Sequence, residues 1–288
     1  MESCYYVPID RPDMETPETG PSGVSTDSGH EYFQPTEATQ SVWASTMQHG
    51  GPPSGLMMRS LLRCDPDPGQ RFTRVTTEIL GPIGFGVNRI RAQVIRPGRQ
   101  ISLVGTDLEV QQADGSFRLA ARSVGWRLRT ADTSAIVEEP APLTPLPAEL
   151  TPVAGVTGNE DLGVDWGTTG FIGSIESATI AGRTGDTPAV WIRPAIPLVG
   201  GEEISDLESI FSVIDIANGM GTRLRTDEWT WMNTDTTVHL TRIPRGPWVG
   251  IDADMVQGPE GFGATFGDLY DITGFVGRSA QTVLLSRR

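Results

Sequence analysis

Two stretches of this chain share a pattern, and that pattern decides the fold. The first is Arg96-Pro97-Gly98-Arg99, which precedes a segment that ends at Ala121-Arg122-Ser123. The second is Arg242-Ile243-Pro244-Arg245-Gly246, which precedes a segment that ends at Gly277-Arg278-Ser279. An internal repeat of this length predicts a duplicated domain, so each half is expected to fold around its own core.

The first half is predicted to contain one helix followed by a sheet. Pro52-Pro53 can begin the helix, and Met57, Met58, Leu61 and Leu62 recur at helical spacing up to Arg63. Apolar and polar residues then alternate in three segments around Thr77, Ala92 and Trp126. This period of two is typical of strands and predicts an antiparallel sheet.

The second half repeats this order. A hairpin is predicted from 171–180 and 189–193, joined across the turn at 182–186. Ser205 and Glu208 form a capping box, which predicts a helix that ends at Asn218-Gly219. Four further strands are predicted at 236–242, 249–255, 263–270 and 275–285.

Four segments follow from this organisation. Residues 1–29 are expected to form a flexible, acidic tail, and 30–130 the first domain. A proline-rich linker over 131–155 leads to the second domain, 156–288. The tail carries Asp10, Asp13, Glu15 and Glu18 where a signal peptide needs basic and apolar residues, so we expect a cytoplasmic protein.

Composition excludes several kinds of function. A net charge of −14 argues against non-specific nucleic-acid binding, and no apolar run is long enough to span a membrane. The chain has no lysine, which excludes Schiff-base and P-loop chemistry. Two cysteines, Cys4 and Cys64, and three scattered histidines give no metal-binding spacing, so no metal or cofactor is expected. The Gly-x-Ser-x-Gly motif of α/β-hydrolases does not occur.

Four stretches of the sequence resemble one protein family. They are Trp43 with His49–Leu56, Arg96–Arg99, Asn233–Leu240 and Gly274–Gln281. In order and spacing, these stretches look like the acyl-CoA thioesterase-like family, similar to bacterial acyl-CoA thioesterase II. The resemblance covers roughly residues 30–288. It implies an α+β double hotdog, in which two tandem domains each lay one helix on an antiparallel sheet, and the hydrolysis of a fatty or related acyl-CoA.

The resemblance also implies catalytic residues. In the family an Asp and a Gln hold the attacking water together with a Thr or Ser, and these positions resemble Asp235 and Gln281. Where the family commonly places Thr, this chain has Met255, which puts hydrolysis in question. A noncatalytic acyl-CoA or acyl-ligand binding protein with a degenerate site is therefore the alternative.

The residues themselves allow the same chemistry. Asp235 can activate water and Gln281 can orient it, while the backbone at His49-Gly50-Gly51 in the first half, or at the Ser205 cap in the second, can donate to an oxyanion. The sequence leaves open which of these two helix starts serves the Asp235 site. Thr236 and Met255 complete the expected substrate-binding set. Structural roles stay open, because Asp at a strand start often bonds local backbone and a buried Gln can satisfy a sheet. Asp215, on the flank of the second helix, is an alternative base.

The expected partners are an acyl-CoA substrate and a second copy of the chain. Exposed sheet edges favour a homodimer or higher oligomer. In an acidic protein, the phosphates of coenzyme A need local positive charge, for which the candidates are Arg89, Arg91, Arg96 and Arg99. A solvated strand face remains an alternative for these arginines.

Overall fold

A computed structural model describes residues 3–12, 29–157, 166–183 and 187–288. The strands are β1 Tyr6–Ile9, β2 Glu31–Pro35, β3 Gln70–Ile79, β4 Asn88–Arg96, β5 Ile101–Gln111, β6 Phe117–Arg129, β7 Val153–Ala154, β8 Ile175–Ile180, β9 Ala189–Pro194, β10 Trp229–Asn233, β11 Asp235–Leu240, β12 Val249–Gln257, β13 Phe262–Asp271 and β14 Gly274–Arg287. The α-helices are α1 Gly51–Arg63, α2 Gly170–Gly173, α3 Asp206–Val213 and α4 Ala217–Met220.

Within the described ranges, the two halves share one continuous sheet of 14 strands. Its order is β1-β2-β4-β5-β6-β3-β11-β14-β13-β12-β9-β8-β7, with β10 paired to β14. The halves meet where β3 pairs antiparallel with β11. The predicted double hotdog is therefore confirmed: two helix-on-sheet units lie side by side.

The main core belongs to both halves, whereas separate cores were expected. One cluster of buried side chains includes Leu56 and Val75 from the first half and Phe211 and Val238 from the second. The reason is that α1 and α3 pack closely against each other. A Cβ atom at Gly55 would lie 2.1 Å from the Ser212 hydroxyl, so the glycine allows the helices to approach.

The second helix starts as predicted but is not continuous. Ser205 and Glu208 make the expected capping box at the start of α3. After Val213 the chain forms a 3₁₀ turn, Ile214–Ile216, before α4 begins. Ser212 donates its hydroxyl to the Glu208 carbonyl at 2.7 Å, a bond that tends to bend helices. Asp215 therefore lies in the turn between two helices.

The predicted strands of both halves are present, but the alternation around Trp126 has the opposite burial. Ser123 and Arg127 are buried, whereas Leu128 is 39% exposed. Arg127 is satisfied inside because its guanidinium donates to Ser102 Oγ and to the carbonyls of Cys64 and Asp65. The alternation of apolar and polar residues predicts the strand correctly, but it does not show which face of the strand is buried.

The expected flexible tail is wrong for residues 3–12, because β1 is a strand with buried side chains. Tyr5 and Tyr6 are fully buried. Tyr6 pairs with Pro35 of β2, and its N–H donates to the Leu198 carbonyl of the second half at 3.0 Å. The segment therefore joins both halves. Three acidic residues of the predicted tail, Asp13, Glu15 and Glu18, lie outside the described residues.

The predicted linker is packed only in part, because residues 131–142 are exposed and burial begins at Leu143. Leu143 is buried in a cluster with Trp191 on the outer side of the second half, and Trp191 Nε1 donates to the Pro145 carbonyl at 2.8 Å. The last residues assigned to the linker include β7, which pairs with β8. The predicted hairpin is present as β8 and β9, although β8 begins at Ile175 and turn residues 184–186 lie outside the described residues. In the described ranges, no helix is long and apolar enough to cross a membrane.

Candidate active site

The start of α1 meets the turn that follows α3, and this contact brings two titratable side chains together. His49 Nδ1 lies 3.3 Å from Asp215 Oδ2, and both side chains are almost fully buried. Asn233 Nδ2 donates to Asp215 Oδ1 at 2.7 Å. Each oxygen of the Asp215 carboxylate therefore has a polar neighbour, and the three residues come from α1, the 3₁₀ turn and β10.

His49 is held between an aromatic ring and a carboxylate. Its imidazole stacks on Phe171 with ring centres 4.1 Å apart. Burial lowers the pKa of His49 from its ordinary value, and the Asp215 carboxylate opposes this only in part. The imidazole is therefore neutral at pH 7, and the tautomer with its proton on Nδ1 can donate to Asp215.

Two glycines allow the backbone at the start of α1 to approach Asp215. A Cβ atom at Gly50 would lie 2.7 Å from Asp215 Oδ2, which leaves no room for a side chain. The Gly51 N–H lies 3.2 Å from His49 Nδ1. Once Nδ1 carries a proton directed at Asp215, it no longer accepts from Gly51, and that N–H becomes a free donor at a helix N-terminus.

Gln281 lies behind Asp215 and holds an unsatisfied atom. Its Nε2 donates to the Asp215 backbone carbonyl at 3.3 Å and to Thr236 Oγ1 at 3.0 Å. Its Oε1 is buried and has no hydrogen-bond partner among the residues that the structure describes. A buried acceptor without a partner is costly, so this oxygen is suited to bind a water molecule or a polar ligand atom.

A cavity of about 250 Å³ opens onto this cluster. Asp215, His49, Gly50 and Asn233 form its polar wall. The rest of the lining is mostly apolar: Trp43, Met47, Ile79, Leu80, Gly81, Pro82, Ile83 and Met232, with Ser41, Gln48 and Thr234. Trp43, Leu80 and Met232 are each about half exposed, so these apolar side chains mark the mouth of the cavity.

The structure brings together most of the predicted site residues but not Asp235. Asp235 Oδ1 accepts from the Thr282 N–H at 3.0 Å, as expected for a structural Asp at a strand start. Neither Asp235 nor Thr236 lines the cavity, but neighbours on a strand point to opposite faces, and Thr236 takes the buried face on which Gln281 lies. Asp215, the lesser alternative in the sequence, occupies the position expected of Asp235.

Met255 is also placed differently from the expectation. It is buried in an apolar cluster with Trp231, Val283 and Leu285 and does not line the cavity. A hydroxyl group beside Gln281 is nevertheless present. It belongs to Thr236, which accepts from the Gln281 amide. The absence of Thr at Met255 therefore gives no reason to doubt hydrolysis.

Sequence reasoning missed the roles of Asn233 and Phe171. Asn233 belongs to one of the stretches that resemble the family, but only the tertiary structure shows that its amide donates to Asp215. None of the four arginines proposed for phosphates lines this cavity. Arg89 on β4, for example, forms an ion pair with Glu109, in which Arg89 Nε lies 2.7 Å from Glu109 Oε2. Among the described residues, no group of three or more His, Cys, Asp or Glu side chains is placed to hold a metal ion.

Solved structures with the same architecture define the class of this protein. A conserved protein of unknown function with a hotdog fold from Alicyclobacillus acidocaldarius is 14% identical, with a TM-score of 0.67 over 91% of this chain and 95% of that one. The TesB protein of Mycobacterium avium subspecies paratuberculosis has a TM-score of 0.64 at 14% identity, over 91% and 94% of the two chains. An acyl-CoA thioesterase II from Mycobacterium marinum has a TM-score of 0.62 at 12% identity, over the same shares. At these identities the likeness concerns the fold: this is a double-hotdog protein.

Sequence profiles carry the assignment further. The acyl-CoA thioesterase N-terminal domain matches residues 39–128, and the acyl-CoA thioesterase C-terminal domain matches residues 147–285. Together the two profiles cover most of the chain in the expected order. The protein belongs to the acyl-CoA thioesterase family. Among curated proteins, no significant match is found.

Proposed function

We propose that this protein hydrolyses fatty or related acyl-CoA thioesters to the free acid and coenzyme A, with Asp215 in the catalytic role first assigned to Asp235. The observation that carries the proposal is the contact of Gln281, whose amide oxygen is unsatisfied among the described residues, with the turn that holds the buried Asp215 carboxylate. Gln281 contacts the backbone of Asp215 and leaves Oε1 without a partner, so a water bound there would lie close to the Asp215 turn. Thr236 fixes the Gln281 amide from its other side.

The reaction needs a base for water and donors for the developing charge. In the proposed step, the water oxygen attacks the thioester carbonyl carbon while Asp215 accepts the water proton. The tetrahedral intermediate collapses with cleavage of the carbon–sulfur bond, and the coenzyme A thiolate takes up a proton. The products are a carboxylic acid and a thiol, and no other reactant is consumed.

The start of α1 is the proposed oxyanion site. The Gly51 N–H belongs to the first turn of a helix, where backbone donors lack partners inside the helix. His49 donates to Asp215 from Nδ1 in the proposed arrangement, which frees this N–H for the thioester oxygen. Donors of this kind typically contribute about 10²- to 10³-fold to kcat. Glycine at position 50 keeps the approach to Asp215 open.

The test is coenzyme A release, followed with a thiol reagent, from a panel of acyl-CoAs. We expect Asp215→Asn to lower kcat by about 10³-fold while acyl-CoA binding survives. Asp235→Asn is the matched control, because it removes a carboxylate that lies on β11 outside the cavity. Its kcat should stay within about 2-fold of the wild type. Equal losses in both variants would contradict the assignment of Asp215.

The binding-protein alternative predicts a different result. A folded wild type that binds acyl-CoA but releases no coenzyme A from any member of the panel would support that alternative. The alternative of a binding protein arises because Met255 occupies the position where the family commonly has a threonine. Thr236 provides a hydroxyl beside Gln281, so we favour hydrolysis.

A further inference from the structure

We propose that Arg118 binds a phosphate group of coenzyme A at the mouth of the cavity. This inference rests on the proposed function, since it takes acyl-CoA as the ligand of the Asp215 site. It replaces the four arginines suggested by the sequence with one residue that the fold places at the cavity rim.

Arg118 lies against the cavity wall from its solvent side. Its Nη2 donates to the Pro82 carbonyl at 2.6 Å, and a Cβ atom at Gly81 would lie 3.0 Å from its Nη1. Gly81 and Pro82 both line the cavity. The Leu80 N–H donates to the Ala120 carbonyl at 2.9 Å, so the start of β6 runs beside the half-exposed Leu80 at the mouth.

The charge of Arg118 is not neutralised by a neighbouring carboxylate. Within the part of the chain that the structure describes, its guanidinium contacts only the backbone carbonyls of Pro82 and Leu119. Arg122, on the same strand but on the opposite face because β6 has a bulge between Leu119 and Ala121, is instead paired with Asp107. Glu78 lies opposite Arg122 in the sheet register. Arg118 therefore presents an exposed cation in a protein whose net charge is −14.

The chemistry of coenzyme A explains why a cation is needed at this point. The thioester sulfur is joined through an uncharged pantetheine arm to an adenosine diphosphate that carries an additional phosphate. A thioester placed at Asp215 would direct this arm along the mostly apolar cavity, so the phosphates emerge at the mouth. No arginine lines the cavity itself. A guanidinium that donates to two carbonyls retains further N–H groups that can bind phosphate oxygens.

The experiment compares two thioesters of the same acyl group. One is the acyl-CoA, and the other is the acyl N-acetylcysteamine thioester, which keeps the reacting end but has no phosphate. We expect Arg118→Gln to raise KM for acyl-CoA about 3- to 10-fold with little change in kcat, and to leave both constants for the N-acetylcysteamine thioester unchanged. The rise in KM with added NaCl should also be smaller in this variant than in the wild type.

Arg122→Gln is the matched control. It removes the same charge from the same strand, but this arginine is paired with Asp107, so its KM for acyl-CoA should stay close to that of the wild type. Equal effects of the two variants would attribute the change to net charge and overturn the inference. An equal effect of Arg118→Gln on both thioesters would overturn it too, because the change would then concern folding or the reacting end.

Binding measured by calorimetry separates this inference from the proposed function. A wild type that hydrolyses acyl-CoA, with Arg118→Gln indistinguishable from it, contradicts the role of Arg118 only. A wild type that binds coenzyme A without hydrolysis contradicts the thioesterase, and weaker binding by Arg118→Gln would still support the phosphate contact. If the wild type neither binds coenzyme A nor hydrolyses its thioesters, both proposals fail.

Discussion

The two halves of the molecule place polar side chains in the same three-strand arrangement and use them differently. In the first half Ser123 lies opposite Thr77 and Thr106, and in the second half Gln281 contacts Thr236 and lies opposite Thr265. The outer threonine of each set reaches the helix. Thr106 donates to Ser60 at 3.4 Å, and Thr265 donates to Asn218 at 3.3 Å. The arrangement is therefore common to both halves.

The two halves differ at the residue one helical turn before Ser60 and Asn218. In the first half this residue is Met57, whose sulfur accepts from the Ser123 hydroxyl at 3.4 Å. Before Asn218 stands Asp215, whose backbone carbonyl accepts from Gln281 at 3.3 Å. One position thus carries a thioether in the first half and a carboxylate in the second. The comparison teaches that the fold supplies two equivalent places, while a few side chains decide which of them can carry acid–base chemistry.

The largest effect is expected from making the first half resemble the second. Met57→Asp would bury a carboxylate that lacks the polar neighbours of Asp215, which are His49 and Asn233, because Met57 is surrounded by Ser123 and apolar side chains. We expect a loss of about 3 to 5 kcal/mol in the free energy of unfolding at pH 8. Urea denaturation measures this loss.

The destabilisation should shrink at pH 5, because burial raises the pKa of the introduced carboxyl and protonation removes its charge. Met57→Leu, which nearly conserves volume, should cost less than about 1.5 kcal/mol. A Met57→Asp variant as stable as Met57→Leu at pH 8 would show that the first half can hold a carboxylate. The two places would then differ less than their contacts indicate.

A smaller effect is expected from removing the equivalent strand residues. Gln281→Leu takes away the amide that touches Asp215 and Thr236, and kcat should fall by about 10²-fold. Ser123→Ala removes the corresponding hydroxyl of the first half and should change kcat by less than about 2-fold, at a stability cost of about 1 kcal/mol. Coenzyme A release and urea denaturation of both variants test this. If Ser123→Ala lowered kcat as much as Gln281→Leu, catalysis would involve both halves.

The smallest effect concerns pH. Burial lowers the pKa of His49, against the weaker opposite effect of Asp215, so the folded protein keeps this imidazole neutral while the unfolded chain takes up a proton near its ordinary pKa of 6.5. His49 therefore leaves stability unaffected well above pH 6.5 and lowers it as the pH falls below that value. Met57 and Ser123, which occupy the equivalent place around α1, do not titrate in this range and add no such dependence.

Urea denaturation at pH 7.5 and pH 5.5 checks this expectation in the wild type and in His49→Gln. The wild type should lose more stability between the two pH values than the variant does. Identical losses would mean that His49 titrates in the folded state as freely as in the unfolded chain, and the buried pair with Asp215 would have to be reconsidered.

Much of the fold was predictable because it follows from local patterns. The helix at Pro52-Pro53, the capping box at Ser205 and the strands of both halves depend on residues close together in the chain. The packed tail was not predictable. Tyr5 and Tyr6 are buried by strands and loops far away in the sequence, and only those contacts make the segment a strand.

The double hotdog, the duplication and the candidate roles of Gln281, His49 and the two glycines follow from the sequence alone. The tertiary structure brings these residues together and favours Asp215 over Asp235 as the candidate base. Asp235 precedes Thr236 directly, but alternation along the strand turns its carboxylate away from the cavity. Asp215 reaches the site because the helix breaks after Val213 and the resulting turn packs against the start of α1. The physical reason is that residue type and spacing fix the secondary structure, whereas the meeting of side chains depends on packing between segments distant in the chain.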